Sequence, residues 1–351
     1  MAGDARTSVD PKLVGESRRA AGGAGRGPGS GRGRYARFVG RRLLLAPIIL
    51  IGVSFTVFVV IDRSPNDPAR AVLGVFADAD QRERFAEENG LNDPLITRYW
   101  RFLTDIIQLR LGESVVRPET VNELIGMALP VTVQLMLLAT FIAVIISLVL
   151  GVVAAQNEGR PTDRAISAVA AVFQASPQFW VGLMFIQLFA VGLGLLPSGG
   201  YAPLNTGFTF WFSSLIGPAV VLALPFAAAM TRVIRASVAD ELGKDYVRTA
   251  VGAGVPRHVV LVGNVLRNAL ITPITVLGVY IGGLMSGAIL VETVFNLPGM
   301  GTLLVSGVNQ GDLGVVRGVA IVGAVAFVLI NLVVDLFYLF LNPRSAEATR
   351  A

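Results

Sequence analysis

ADELGKDYVRTAVGAGVPRHVVLVGNVLRNAL, residues 239–270, is the longest polar interruption in a strongly apolar C-terminal half. Leu242, Tyr246 and Ala250 recur at helical spacing, with Glu241, Lys244, Asp245 and Arg248 filling the positions between them. That pattern predicts a short amphipathic helix. Gly252 and Gly254 are placed to end it, because glycine supplies the backbone freedom of a sharp turn. Pro256 suits a first helical turn, which predicts a second helix running on into the next apolar run. Arg232, Arg235, Lys244, Arg248, Arg257 and Arg267 put the stretch on the cytoplasmic side of a membrane by the positive-inside rule. A helix-turn-helix held there between two spans offers a docking surface to a soluble partner. A plain solvated loop with a surface helix satisfies the same periodicity, and on pattern alone the two readings stand level.

Composition fixes the class. The chain has 351 residues, 53% of them hydrophobic and 15% charged, with a mean hydropathy of +0.65. These values exclude a soluble domain, and several apolar runs reach the roughly 20 residues a membrane-spanning helix needs. There is no cysteine and a single histidine, His258. Disulfides, thiolate metal sites, cysteine nucleophiles and histidine-based zinc hydrolysis therefore have no residues to use. The net charge of +5 gathers at the flanks of the apolar runs, which reads as orientation in a membrane and not as nucleic-acid binding.

Residues 1–36, including AAGGAGRGPGSGRGR, lack apolar periodicity and are expected to be a disordered basic cytoplasmic tail touching anionic lipid. The first transmembrane helix lies within 37–62, its apolar run being 43–61. The run is too long, and its basic lead too extended, for a signal peptide. Residues 63–127 form the longest polar segment, with QRERFAEENG and the aromatic cluster of Tyr99, Trp100 and Phe102. They are expected to form a small, largely helical extracytoplasmic insertion, or else a mere connector. A transmembrane core over 128–344 follows, with spans at 129–155, 165–190, 215–231, 271–290 and 319–341 around the cytoplasmic loop 239–270. The third of these six spans is expected to kink at Ser176–Pro177. The segments 191–214 and 292–314 turn on the outer side, and 345–351 is a cytoplasmic tail, so both termini are expected inside.

The chemistry present is sparse. Neither Lys12 nor Lys244 stands in a phosphate-cradling glycine loop, so an ATPase of its own is excluded. Spans two to five carry no Asp, Glu, Lys or Arg, whereas ion-coupled carriers keep such groups for work. Asp335 lies toward the inner end of span six. The energy source is then a partner. Gln134, Gln174, Gln178, Gln187, Thr272, Thr275, Ser286 and Asn331 are candidates to line a translocation path, with interhelical hydrogen bonding the competing reading for each. Gly278, Gly282, Gly283 and Gly287 are expected to serve close helix packing. No metal site is expected.

Several strings resemble one family. Against the Glu-Ala-Ala…Gly loop of ABC importer permeases, Arg248–Thr249–Ala250 occupy the first positions and Gly254 the glycine. The later Ile-x-Leu-Pro part reads Asn264–Val265–Leu266–Arg267, so that Ala250, Gly254 and Leu266 fit. DYVRTA…G…LRNAL is similar to the variant in dipeptide and oligopeptide permeases. So are SPQFWVGL (176–183), LLPSGGY (195–201), GAILVETVFNLPGMG (287–301), VNQGD (308–312) and VLINLVVDLFYLFLNPR (328–344). The resemblance runs from about residue 41 to 344. It implies an all-α, six-span permease subunit of a bacterial cell-membrane importer for short peptides. A second homologous permease, two cytoplasmic ABC ATPases holding ATP and Mg, and an extracytoplasmic substrate-binding protein are implied as partners. Asp245, Tyr246, Arg248, Thr249, Ala250, Gly254, Arg267 and Asn268 are implied as ATPase-coupling residues. Import of a nickel chelate, haem or a sugar by the same architecture, a channel or carrier working alone, and a structural anchor are the alternatives.

Overall fold

The computed structural model describes the backbone of residues 30–63, 73–74, 77–88, 90 and 92–341, with side chains described at 44–63 and through 333 within those ranges. Helices among them run α1 (Ser30–Asp62), α2 (Ala79–Glu88), α3 (Leu95–Ile107), α4 (Val121–Gln156), α5 (Pro161–Ala175), α6 (Gln178–Phe185), α7 (Phe208–Leu242), α8 (Asp245–Gly252), α9 (Arg257–Val260), α10 (Leu266–Ala269), α11 (Ile271–Val294), α12 (Met300–Gln310) and α13 (Leu313–Leu341). The fold is all-α. Five helices are long and apolar enough to cross a membrane, and six if one bent pair is a single span. Most of the expected basic tail, the Asp335 side chain and the C-terminal tail lie outside the described residues. Residues 30–36, expected to be disordered, are helical and continuous with the first span; once a helix is nucleated, each added residue gains a hydrogen bond.

The bent pair corrects the third span. At Ser176 and Pro177 the backbone is extended, with ψ of 135° and 129°, because a proline drives the residue before it out of the helical region. The two limbs, Pro161–Ala175 and Gln178–Gly192, meet at 106°. This is a break and not a kink; Ser176 Oγ repairs the first limb by donating to Val172 O at 2.7 Å.

Helix α7 is the central post. Of its apolar window 67% is buried within the chain, against 17–28% for the other candidate spans. It continues unbroken past Pro218 and Pro225, and at 1.5 Å per residue its 35 residues exceed the roughly 30 Å hydrocarbon core. Both its ends, expected to be loop, are therefore helix. Ala139, Ala143, Ser147 and Gly151 of α4, all buried, form a small-residue stripe against it. A Cβ added at Gly151 would stand 2.7 Å from Ile234 Cγ2, and such stripes let helices approach closely in lipid. This seam was not among the glycines expected to mediate packing. Of those, Gly282 meets Phe327 and Gly287 meets Gln178, while Gly283 faces open space.

Helix α4 starts at Val121, ahead of the expected 129, because Thr120 and Glu123 make a reciprocal capping box. On the insertion side, Tyr99 and Phe102 of α3 pack with Phe58 of α1 and Ile321 of α13. The Tyr99 hydroxyl donates to Ile51 O at 3.0 Å.

The expected outer turn beginning at Glu292 is helix as far as Val294, and Glu292 is fully buried. Its carboxylate accepts from Thr132 Oγ1 at 2.6 Å, from Gly301 N at 2.7 Å and from Thr302 N at 3.3 Å. The Glu292 side chain of α11 thus caps the first turn of α12 and binds it to α4, filling an anion site that helix N-termini offer. Asp312 performs the same service for α13, accepting from Val315 N at 3.2 Å and from Ser114 Oγ at 2.5 Å.

Candidate functional site: the polar hairpin between α7 and α11

The hairpin begins where α7 stops. Leu242 ends that helix instead of starting a new one, and Lys244 is extended, with ψ 149°. Asp245 then opens α8, its charge complementing the helix N-terminus. The buried stripe of α8 is Val247 with Ala250 and Val251, not Tyr246 with Ala250; Arg248, Thr249 and Gly252 face out.

Gly254, at φ +84°, and not Gly252, makes the turn. Gly254 N donates to Val251 O at 3.0 Å and Val255 N to Ala250 O at 3.1 Å, the paired bonds of a Schellman motif with glycine in the left-handed position. Pro256 follows as the N-cap of α9 rather than inside its first turn. The second arm is then helical to Ala269, but it passes through a π-turn over Leu261–Val265. The buried positions explain the bulge: Val260, Val265 and Ala269 are spaced by five and four. A regular α-helix would turn Asn264 inward, four residues after Val260. One extra residue in the turn keeps Val265 on the buried face and Asn264 out.

A polar knot closes the base. The Glu241 carboxylate, 6% exposed, accepts from Lys244 Nζ at 2.5 Å and from the Tyr246 hydroxyl at 2.8 Å. The Asn268 side chain lies beside the same carboxylate and hydroxyl, so α7, α8 and α10 come together there. The Glu241 contact raises the Lys244 pKa. Burial, followed by the Glu241 contact, raises that of Tyr246. Beside the knot, Asp163 at the start of α5 accepts from Arg235 of α7 at 2.5 and 2.8 Å and from Gly159 N at 3.0 Å. Arg235 is thus a bidentate structural partner and not a free surface charge.

Of the expected coupling residues, Tyr246 and Asn268 enter the knot, Gly254 forms the turn and Ala250 packs inward. Asp245, Arg248, Thr249 and Arg267 stay exposed. Arg248 and Asp245 approach only to 3.9 Å with both side chains largely exposed, a pair of negligible energy. Between the arms lies a cavity of about 670 Å³ lined by Leu242, Val247, Arg248, Val251, Arg257 and Val260. Val255, Val259 and Val262, 38%, 47% and 67% exposed, leave apolar surface open along the second arm. Open apolar surface and a cleft with a rim of arginines suit a protein partner better than a small ligand.

The candidate path residues do not converge. Gln134 accepts from the Tyr201 hydroxyl at 3.0 Å and Trp211 Nε1 at 2.6 Å, holding the loop before α7. Thr275 and Asn331 bond the carbonyls of Ile271 and Phe327, four residues back. Gln178 lies against Gly287. Gln174, Gln187 and Thr272 are exposed. Ser286 lines an apolar crevice of about 510 Å³ with Val53, Met285 and Phe327. Glu241, Asp163 and Glu292 were not singled out in advance. The legible signal for Glu292 was a carboxylate at the end of an apolar run, just before the helix-starting Leu-Pro-Gly-Met-Gly.

The family described as binding-protein-dependent transport system inner membrane component matches residues 147–347, and its N-terminal component matches residues 35–136. The oligopeptide transport system permease protein AppB of Bacillus subtilis is 37% identical over 88% of this chain and 99% of that one. The probable peptide ABC transporter permease protein y4tP of Sinorhizobium fredii is 33% identical over 88% and 98%. The glutathione transport system permease protein GsiC of Pectobacterium atrosepticum is 37% identical over 87% and 97%. A crystal structure of an amino acid ABC transporter with histidines aligns at 16% identity and a TM-score of 0.44, over 62% of this chain and 93% of that one.

Proposed function

The chain belongs to the family of binding-protein-dependent transport system inner membrane components, and from that premise we propose that it is the permease subunit of an ATP-driven importer of short peptides. It forms the pathway with a second, homologous permease. Two ATPase subunits, which carry the ATP and Mg, dock on the hairpins, and a substrate-binding protein delivers peptide from the opposite side. In this reading the hairpin, both termini and the Asp163–Arg235 pair are cytoplasmic, and residues 63–120 with α12 face outward. The chain itself catalyses no bond-making.

The observation that carries the proposal is the hairpin. It is a rigid helical projection, fixed to α7 by the Glu241 knot and leading directly into α11. It presents exposed valines and an arginine-rimmed cleft that no other described residue covers. Arg248, Thr249, Asp245 and Arg267 supply the exposed contacts, while Tyr246, Ala250, Gly254 and Asn268 set the shape. Peptide as cargo is supported by relatives that are named as peptide and glutathione permeases.

The test is affinity purification of the tagged chain from mild detergent, followed by mass spectrometry. Recovery of nucleotide-binding subunits and a second six-span protein, lost on Arg248→Glu, supports the coupling role. A chain recovered alone and stable refutes it.

A further inference from the structure

Arg317, in the second turn of α13, is a half-buried cation that nothing in the transport reading uses. Its guanidinium lies over the rings of Phe58 and Phe102, 5.9 and 5.2 Å from their centroids. Its Nε is enclosed and has no hydrogen-bond partner. Asp62 and Asp105 act on it only through space, and Asp62 is engaged by Arg98. Enclosed charges are ordinarily paired, because an unpaired one forfeits its hydration. Among the described residues, Arg317 therefore has no counter-ion in contact with it.

The space for one is beside it. A cavity of about 210 Å³ is lined by Arg317, Arg110, Asp105, Phe102, Leu111 and Gly112, several times the roughly 30 Å³ that one water takes in the liquid. Two arginines against one aspartate leave the lining net positive, and guanidinium forks match phosphate oxygens. The depth is also informative. Helix α3 buries Tyr99 and Phe102 yet exposes Ile96, Trp100 and Ile107, the mark of a helix lying in the interface at the ends of α1 and α13. Phosphate groups of lipids occupy that level, and basic pockets between spans receive them.

We propose that this cavity is a phosphate site filled by an anionic lipid headgroup, with Arg317 and Arg110 donating to its oxygens and α3 closing over it. Asp105 opposes the ligand and keeps the site exchangeable.

The full-length chain, purified with the subunits that accompany it and stripped of lipid, is titrated with phosphatidylglycerol, phosphatidylcholine or inorganic phosphate. Retained lipid is read by native mass spectrometry and protection by thermal unfolding. Phosphatidylglycerol is expected to be retained over phosphatidylcholine by about tenfold, because both present a phosphate but the choline cation is repelled by Arg317 and Arg110. Arg317→Gln and Arg110→Gln each remove that preference, and Asp105→Asn increases it. Arg110 is exposed, so its variant keeps the test valid should Arg317→Gln fold poorly. Protection by inorganic phosphate equal to that by phosphatidylglycerol overturns the lipid as occupant. Equal retention of both lipids in the native chain and in Arg110→Gln overturns the site. So does an Asp105→Asn chain that is destabilised and insensitive to lipid, since Arg317 would then be balanced internally.

Discussion

The turn at Gly254 separates backbone shape from partner contact, because its two consequences have different sizes. Gly254 stands at φ +84°, where an L-residue is strained by roughly 1–2 kcal/mol. Asparagine and aspartate bear that conformation better than alanine or valine. A Cβ at this position meets nothing within 4 Å, so no steric clash adds to the strain. Gly254→Asp is therefore expected to lower stability by only about 1 kcal/mol, leaving insertion and yield intact. A partner packed on the turn would, however, meet a new charged side chain at a surface the chain leaves open. Burying an unpaired carboxylate there costs several kcal/mol, enough to reduce docking by two or more orders of magnitude. The assay is ATP-driven uptake of a labelled short peptide into vesicles holding the complete transporter, alongside its ATP hydrolysis. Gly254→Asp is expected to abolish uptake while the chain remains inserted, and Gly254→Ala to retain most of it. Native uptake by Gly254→Asp refutes the docking role of the turn. Loss that is worse in Gly254→Ala than in Gly254→Asn refutes partner contact in favour of strain.

Three other sites give independent tests. The Lys244 pKa is raised by Glu241, so the Lys244 contact is complete below the ordinary lysine value of about 10.4 and is lost as pH rises through the raised one. Proteolytic cleavage of the hairpin is expected to rise in that alkaline window and not between pH 6 and 9, and Lys244→Met removes the step; a neutral-pH transition contradicts the assignment. Glu292→Ala leaves the amides of Gly301 and Thr302 and the Thr132 hydroxyl without their acceptor, a loss of about 3 kcal/mol or more. Its melting temperature in detergent should fall by more than that of Thr132→Val, and the double variant should be less than additive. Gly301→Ala would bring its Cβ to 2.4 Å from Ile289 Cα, an overpacking of about 1–3 kcal/mol; it should be harsher than Gly254→Ala, and equal melting temperatures refute the close α11–α12 approach.

Five of the six expected spans and the place of the hairpin were legible because both follow from local hydropathy and charge. Leu-rich runs of spanning length need no tertiary information, and a glycine followed by proline announces a turn. Helix ends were less legible. Phe208 and Arg235 lie outside the expected 215–231 span, yet belong to one helix, since packing on α4 carries α7 past its apolar window. The buried face of α8 was misassigned to Tyr246 because a tyrosine reads as apolar, while the partner that draws its hydroxyl, Glu241, sits on the preceding helix. The π-turn at Leu261–Val265 was invisible for the same reason: the period of the buried positions is known only when the surface they pack against is known. Glu292 spends its charge on the start of α12 and on Thr132 of α4, and Asp163 on Arg235 of α7, pairings that local hydropathy does not announce.

These ties also decide how motion at the hairpin travels. Coupling needs an element with two arrangements, so the places where the chain is locked matter as much as those where it bends. The Glu241 knot fastens both arms of the hairpin to the end of α7, and the small-residue seam fastens α7 to α4. At the far end, Glu292 of α11 is held to Thr132 of α4 and to the start of α12. Helices α4, α7, α11 and α12 and the hairpin are therefore joined at both ends, with no free hinge between them. Under the proposed coupling, a push on the hairpin would turn that block as a whole. The soft points lie elsewhere, at the 106° break of α5 and α6 and at α1, which packs chiefly on α13. Under the proposed coupling, access changes by rocking one permease block against another, and the residues that govern it sit on the faces the two blocks share rather than inside either one.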